Sequence, residues 1–339
     1  NGGAAFYWQG VSPFYLLFRR GGPGTVYYYR KPPLQPAVLF RGAGHVILNE
    51  PALWLAYSGG WTSDKSHANA DLGTFVLVTE GERLVNDPGY GAAGTEEHST
   101  MLVNNLGQPD NVRGTYRHFG SGSMFHYLAS DLSACYGGLT HFVRHMVMVN
   151  GEYVVIIDDL AGPTPAAFEW RLQTAGTISL AGQTATLTGQ TRALHVLCAA
   201  PSDAVVSQGS LTLDYVRITP GAQRVAETIV TILSPSSLLA SPPPVTWNGS
   251  GILGVGSDQI IFSGGQGSWV LASVNGEAAT DIDHVQDRTL GSYGMAVAQW
   301  THPGMHQPWF SVARGPAGSV VLRGLAGGTA AARWSVSLG

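Results

Sequence analysis

Charge is scarce in this sequence. Asp, Glu, Lys and Arg together make up 12% of 339 residues, about half the share usual in soluble proteins. Helical proteins are normally much richer in Glu, Lys, Arg and Leu, so this composition excludes a mainly helical fold. A basic excess is missing too: 18 Lys and Arg stand against 22 Asp and Glu, a net charge of −4. That argues against a duplex nucleic-acid partner, which normally calls for a basic surface. A polyanionic sugar stays compatible, because a local basic cleft can sit on a mildly acidic protein. Long apolar runs are absent as well. None approaches the roughly 20 residues that span a bilayer, and no membrane span is expected. There are only two cysteines, Cys135 and Cys198, either one disulfide or two buried thiols. No secretory leader is visible and the chain opens at Asn1, which reads as a processed or truncated start.

What is abundant is glycine (45), with 19 prolines and many Thr, Ser and Val. That mixture suits short strands joined by tight turns. Residues 1–36 are aromatic-rich and broken by Gly and Pro, and read as a lead-in, the end of a preceding domain. From Ala37 onward short strands recur: AVLFRGAGHVILN, ALWLAYSGG, STMLVNN and SMFHYLASD. Two hairpins stand out. Asn150-Gly151 separates the apolar runs HFVRHMVMV and EYVVIID, a strong short-range hairpin signal, and TEGE joins GTFVLV to RLVND. The stretch SPPPVTWNGSG from Ser241 reads as a linker. No repeat of 20 to 50 residues is present, which disfavours a propeller or solenoid. The expectation is an all-β chain: a large antiparallel β-sandwich over 37–240 and a smaller β-sheet region over 241–339.

Side chains capable of chemistry concentrate between Trp61 and Gln108. His67, Asn69 and Asp71 alternate, so on an extended segment they share a face. A hairpin then returns the chain to Asp87, Tyr90 follows across a Pro-Gly turn, and His98 precedes the strand STMLVNN. Two chemical readings are open. His67 and Tyr90 are an acid/base pair, or Asn69, Asp87 and His98 offer oxygen, carboxylate and imidazole to a divalent cation such as Zn or Mn. Taken singly, each has a plainer reading: a histidine beside a turn is commonly solvated, and Asp-Pro-Gly is commonly only a turn.

The segment DKSHANADLGTFVLVTEGERLVNDPGYG resembles the signature of the heparinase II/III-like family. Its pattern is His-x-His/Asn-x-Asp, a small residue and Phe, an apolar strand, Gly-Glu, then Asp-x-Gly. EEHSTMLVNNLGQ is similar to the family's next segment, where a His introduces a Thr-rich strand ending in Gly-Gln. FHYLASDLSACY, HFVRHMVMVNGEYVVIIDDL and FEWRLQTAGTISLAGQTATLT are similar to later strands, so the resemblance spans about residues 37–230. Members include heparin, alginate and chondroitin/dermatan lyases and dermatan sulfate epimerases. They pair an N-terminal helical toroid with a C-terminal β-sandwich, and substrate lies between the two.

The resemblance implies a catalytic role for His67, a cleft-facing role for Tyr90 and a structural metal trio of Asn69, Asp87 and His98. Asn69 stands where many members have a second His; it is a weaker zinc ligand than imidazole, which leaves contact with substrate as its other role. The helical toroid is absent from this chain, so the implied partners are an anionic polysaccharide and a helical domain of the same or a cleaved polypeptide. The implied function is uronate-polymer lyase chemistry in a secreted or periplasmic setting. The alternatives are a non-catalytic carbohydrate-binding or structural module and a uronate C5-epimerase. A hydrolase would need an acidic pair, and none is evident.

Arg113, Arg117 and His118 form a basic loop suited to an anionic substrate, or simply a solvated one. Trp54, Trp61, Trp170, Trp300 and Trp309 are either sugar platforms or core. His302 and His306 flank Pro303, which forbids a regular helix there.

Overall fold

The computed structural model describes residues 36–40, 44–60, 69–89, 91–92, 94–281 and the backbone of three later strands. His67, Tyr90, Trp61, Trp300, Trp309, His302, His306 and the lead-in 1–35 lie outside the described residues. The expected all-β, antiparallel architecture is what the described residues show, and no α-helix occurs among them.

Strands β1 (Ala37–Phe40), β2 (His45–Asn49), β3 (Leu53–Ser58), β4 (Phe75–Thr79) and β5 (Glu82–Val85) follow one another as a five-stranded sheet. Next come β6 (Met101–Val103), β7 (Thr115–Ser121), β8 (Phe125–Asp131), β9 (His141–Val149) and β10 (Tyr153–Ala166). They lead to β11 (Phe168–Thr174), β12 (Thr177–Ala181), β13 (Thr184–Thr188) and β14 (Arg192–Ala200). β15 (Val205–Ser210), β16 (Asp214–Thr219) and β17 (Arg224–Ser237) complete this region. β18 (Val245–Trp247), β19 (Ile252–Val255), β20 (Asp258–Ser263) and β21 (Val270–Val274) form a four-stranded sheet, and β22 (Thr280–Asp281) returns to the edge of β7. The central sheet has nine strands, ordered β12-β13-β14-β17-β10-β9-β8-β7-β22. A second four-stranded sheet runs β15-β16-β11-β6. β23 (Phe310–Arg314), β24 (Ser319–Gly324) and β25 (Arg333–Ser337) form a three-stranded sheet.

Both turns expected from Gly-containing loops form. Glu80 and Gly81 take positive φ between paired Thr79 and Glu82, and Asn150 and Gly151 do the same at the tip of β9–β10. The second hairpin is offset by one residue from a two-residue loop: Val149 pairs with Tyr153, not Glu152. Every later pair inherits that offset, and Arg144 therefore falls opposite Asp158.

The central sheet is buried on both faces, which explains the unbroken apolar run of β10. Successive side chains point to opposite faces. Val154, Ile156 and Leu160 join a core with Leu55, Phe75 and Trp170 from the overlying sheets, whereas Val155 and Ile157 join another with Leu253, Ile260 and Phe262 of the β18–β21 sheet. Each fully buried side chain of this kind contributes about 1.5–3 kcal/mol. Trp170 belongs to this core, and Trp54 is half-buried on β3. Cys135 and Cys198 are free and buried, not bonded, and burial pushes each thiol pKa up to about 12.

One ion pair is sealed inside. Arg144 donates from Nε and Nη2 to the two carboxylate oxygens of Asp158 at 2.7 and 2.8 Å, and neither side chain is exposed. Its Nη1 donates to the Gly73 carbonyl (2.5 Å) and more loosely to that of Ser99 (3.3 Å). Burial opposes the charge of Arg144, but Asp158 outweighs it and holds the guanidinium pKa above its ordinary value. Replacing Arg144 with Met strands a buried carboxylate, and the expected loss is about 3–5 kcal/mol of unfolding free energy. Denaturant titration measures it. The Arg144→Met/Asp158→Leu double variant should recover part of that loss, short of the two carbonyl bonds.

Candidate functional site

Of the candidate residues that are described, Asp87 and His98 meet close to where β6 begins, with the charge of Asp71 nearby. Asn69 is half-buried in the segment leading to β4. The chain after it is fastened tightly. Gln108 acts as a stand-in peptide for Leu72: its Oε1 accepts the Leu72 N–H (2.9 Å) and its Nε2 donates to the Leu72 carbonyl (2.6 Å). Thr100 Oγ1 donates to the same carbonyl, and Gln108 also donates to the Tyr136 hydroxyl. Gly107 lies so close to Thr95 that a Cβ there would stand 2.5 Å from its Oγ1, while Thr95 Oγ1 accepts the Gln108 N–H. The Gly-Gln ending of the segment thus has a steric and a hydrogen-bonding cause.

Asp87 and His98 do meet. His98 is completely buried; its Nδ1 lies 3.1 Å from Asp87 Oδ2, and its Nε2 lies 3.0 Å from the Ala92 carbonyl. Both partners are acceptors, and an imidazole satisfies both only when both nitrogens carry protons. Burial works against that charge. The Asp87 hydrogen bond, the charges of Asp71 and Asp87 and the Ala92 carbonyl outweigh it, and the His98 pKa is raised. Asp87 moves the other way: the His98 hydrogen bond, aided by the Gly89 N–H, lowers its pKa against burial. Asp71 is raised, by burial first and by the Asp87 charge, with His98 opposing.

These contacts bracket position 90. Asp87 Oδ1 accepts the Gly89 N–H at 2.8 Å on one side, and His98 holds the Ala92 carbonyl on the other. As folded here, both ring nitrogens of His98 face an oxygen acceptor. Among the described residues no group of three or more His, Cys, Asp or Glu is set to hold a metal ion. Of the expected trio Asn69, Asp87 and His98, the last two are paired with each other in this conformation. His98 serves here as a loop anchor.

The basic loop is divided. Arg117 Nε and Nη2 donate to Asp131 Oδ2 at 2.9 and 2.6 Å across β7 and β8, and Arg113 is exposed. His118 stacks on Tyr127 at a centroid distance of 6.1 Å. Sequence reasoning missed Thr95, Gln108 and Arg144 as supports of the site. Only Gln108 had a local signal, a Gly-Gln step closing a strand.

The heparinase II/III-like, C-terminal family model matches residues 32–248. The chain belongs to this family. Among solved structures it is similar to the heparan sulfate lyase HepC from Pedobacter heparinus, with a TM-score of 0.58 at 15% identity, over 71% of this chain and 42% of that one. A heparinase III gene product matches with a TM-score of 0.56 at 16% identity, over 69% and 41%. Another heparinase III matches at 0.53 and 17%, over 71% and 41%. The chain thus spans less than half the length of these relatives, and at such identity the likeness shows the shared fold alone. No curated protein matches the chain. Among the described residues no helix is long and apolar enough to cross a membrane.

The raised pKa of His98 carries a pH signature. Its contribution to stability is complete below the ordinary histidine value of 6.5 and is lost as pH rises through the raised folded value. Asp87→Asn should move the His98 pKa down in an NMR titration. It should also cost about 1.5–3 kcal/mol of stability below pH 6.5, with the deficit shrinking toward alkaline pH.

Proposed function

We propose that this chain is the β-sandwich part of a polysaccharide lyase that cleaves a uronic-acid polymer, of glycosaminoglycan or alginate type, by β-elimination. The supporting observation is family membership over 32–248, joined to the His98 anchor that fastens both flanks of position 90. The proton beside the uronate carboxylate is very weakly acidic. Its removal needs a neutralised carboxylate and a base within hydrogen-bond reach.

In this reading His67 is base or neutraliser and Tyr90 the supporting acid/base group. The base takes the proton, the electron pair of the broken C–H bond becomes the new carbon–carbon double bond, and the bond to the 4-oxygen breaks as that oxygen gains a proton. Asn69, Arg113 and Arg117 hold the polyanion; a substrate carboxylate must compete with Asp131 for Arg117. Asp87 and His98 position the loop and take no proton from substrate. A helical domain outside this chain supplies the facing wall, and the setting is secreted or periplasmic.

The test is to incubate the complete polypeptide that carries this chain with heparan sulfate, chondroitin sulfate and alginate, following ultraviolet absorbance of the unsaturated product. Absorbance should rise with one polymer, and His67→Ala should slow it by about 10²–10⁴-fold, the usual worth of a general acid or base. Unchanged turnover in that variant removes His67 from the mechanism. Binding without new double bonds makes the chain a non-catalytic carbohydrate module.

A further inference from the structure

The face of the central sheet that carries Asp159, opposite the face of Arg144, holds an open cleft of about 730 Å³. It lies between the ends of β14 and β17 on one side and the loops at 247–250 and 262–266 on the other. That volume falls within the usual range for small-ligand sites, roughly 300–1,000 Å³. Two tryptophans stand in its wall. Trp247 and Trp269 meet edge to face, with centroids 5.8 Å apart and planes at 73°. Trp269 is buried and its Nε1–H donates to Thr228 Oγ1 at 3.2 Å, so its ring is fixed. Trp247 is only half-buried. A Cβ at Gly249 or Gly265 would meet nothing within 4 Å, so the rim is open at both loops.

The polar lining selects the ligand. Exposed Asn248, Ser250 and Gln266 present amide and hydroxyl groups around the tryptophan pair. Asn248 Oδ1 accepts the N–H groups of Ser250 and Ile252, which shapes this loop before any ligand arrives. Among the described residues no Lys, Arg or His lines the cleft, and the charged group in its lining is Glu227. Both carboxylate oxygens of Glu227 are engaged, by Arg224 Nη1 at 2.7 Å and by the Thr228 N–H at 3.0 Å. The other arm of Arg224 is bound to Asp203. A carboxylate or sulfate would meet a buried acid and no free cation. A pyranose without charge would stack its C–H face on indole and reach the amides with its hydroxyls.

We propose that this cleft binds an uncharged pyranose unit, a neutral hexose or N-acetylhexosamine, against Trp247. The assignment stands independently of the lyase reading, because none of the described lining residues is used there. It would give the chain a second carbohydrate contact with chemistry opposite to that of a uronate site.

The test titrates the chain with cellotetraose, triacetylchitotriose and tetragalacturonate, reading tryptophan fluorescence and the indole N–H signals by NMR. At least one neutral oligosaccharide should bind saturably. Trp247→Ala should weaken it about tenfold or more, equivalent to about 1.4 kcal/mol. Trp247→Phe, which keeps an aromatic face, should retain part of the affinity. Gln266→Ala, at an exposed position, should weaken binding with the melting temperature unchanged, and it carries the test if Trp247→Ala does not fold. Failure of both neutral sugars to bind overturns the proposal. So does equal affinity for tetragalacturonate, or undiminished binding in both Trp247→Phe and Gln266→Ala.

Discussion

The buried guanidinium of Arg144 is the constraint around which the rest is arranged. It sits on β9 in the middle of the central sheet, paired across the strand with Asp158, and its remaining nitrogen reaches the carbonyls of Gly73 and Ser99. Those two carbonyls belong to the segments that open β4 and β6. One charged group therefore joins the sheet that carries most of the core to the two stretches that carry the candidate site. A neutral side chain could pack in the same place, but it could not bind two backbone carbonyls and a carboxylate at once. Gly73 shows how closely the parts fit: a Cβ there would stand 2.8 Å from both Leu132 and Thr100.

From that anchor the site is built outward, from buried groups to the half-exposed Asp87. Gln108, Thr100 and Tyr136 form a hydrogen-bonded frame around Leu72, with no exposed member. His98 comes next, sealed from solvent but tied to the half-exposed Asp87 and to the loop carbonyl of Ala92. The frame makes the outer loop depend on buried partners, which is how a flexible-looking Pro-Gly stretch acquires a defined path. Positioned groups contribute to catalysis through such pre-organisation, because misplacement of reacting atoms by an ångström is costly.

The two faces of the central sheet have been given different tasks by the alternation of one strand. Asp158 points into the face with Arg144, and its neighbour Asp159 points the other way. Asp159 there accepts from the Gly267 N–H at 2.8 Å and lies 3.0 Å from His141 Nε2. It thus fixes the loop that presents Trp269, just as its neighbour fixes the segments around the candidate site. Adjacent carboxylates in sequence are separate in space, and each organises a different surface.

Much of this architecture was legible in the residues. Strands follow from β-branched and apolar runs between glycines. The hairpins follow from Glu80-Gly81 and Asn150-Gly151, because positive φ is inexpensive at those residue types. The proximity of Asp87 to His98 follows from a hairpin return. What could not be read was long-range. Gln108 clamps Leu72 from 36 positions away, and Trp247 on β18 meets Trp269, just before β21, although β18 and β21 are the two outer strands of their four-stranded sheet. The one-residue offset at the β9–β10 turn, which sets Arg144 opposite Asp158, arises because the loop takes in Glu152 as well as Asn150 and Gly151, and the Asn-Gly pair alone did not show that. Sequence by itself determined the β class, the turns and the set of polar groups available, since these rest on local backbone preference and side-chain chemistry. Tertiary structure alone decided which of those groups are buried, because burial and the fate of each ring nitrogen or carboxylate depend on partners brought from distant strands.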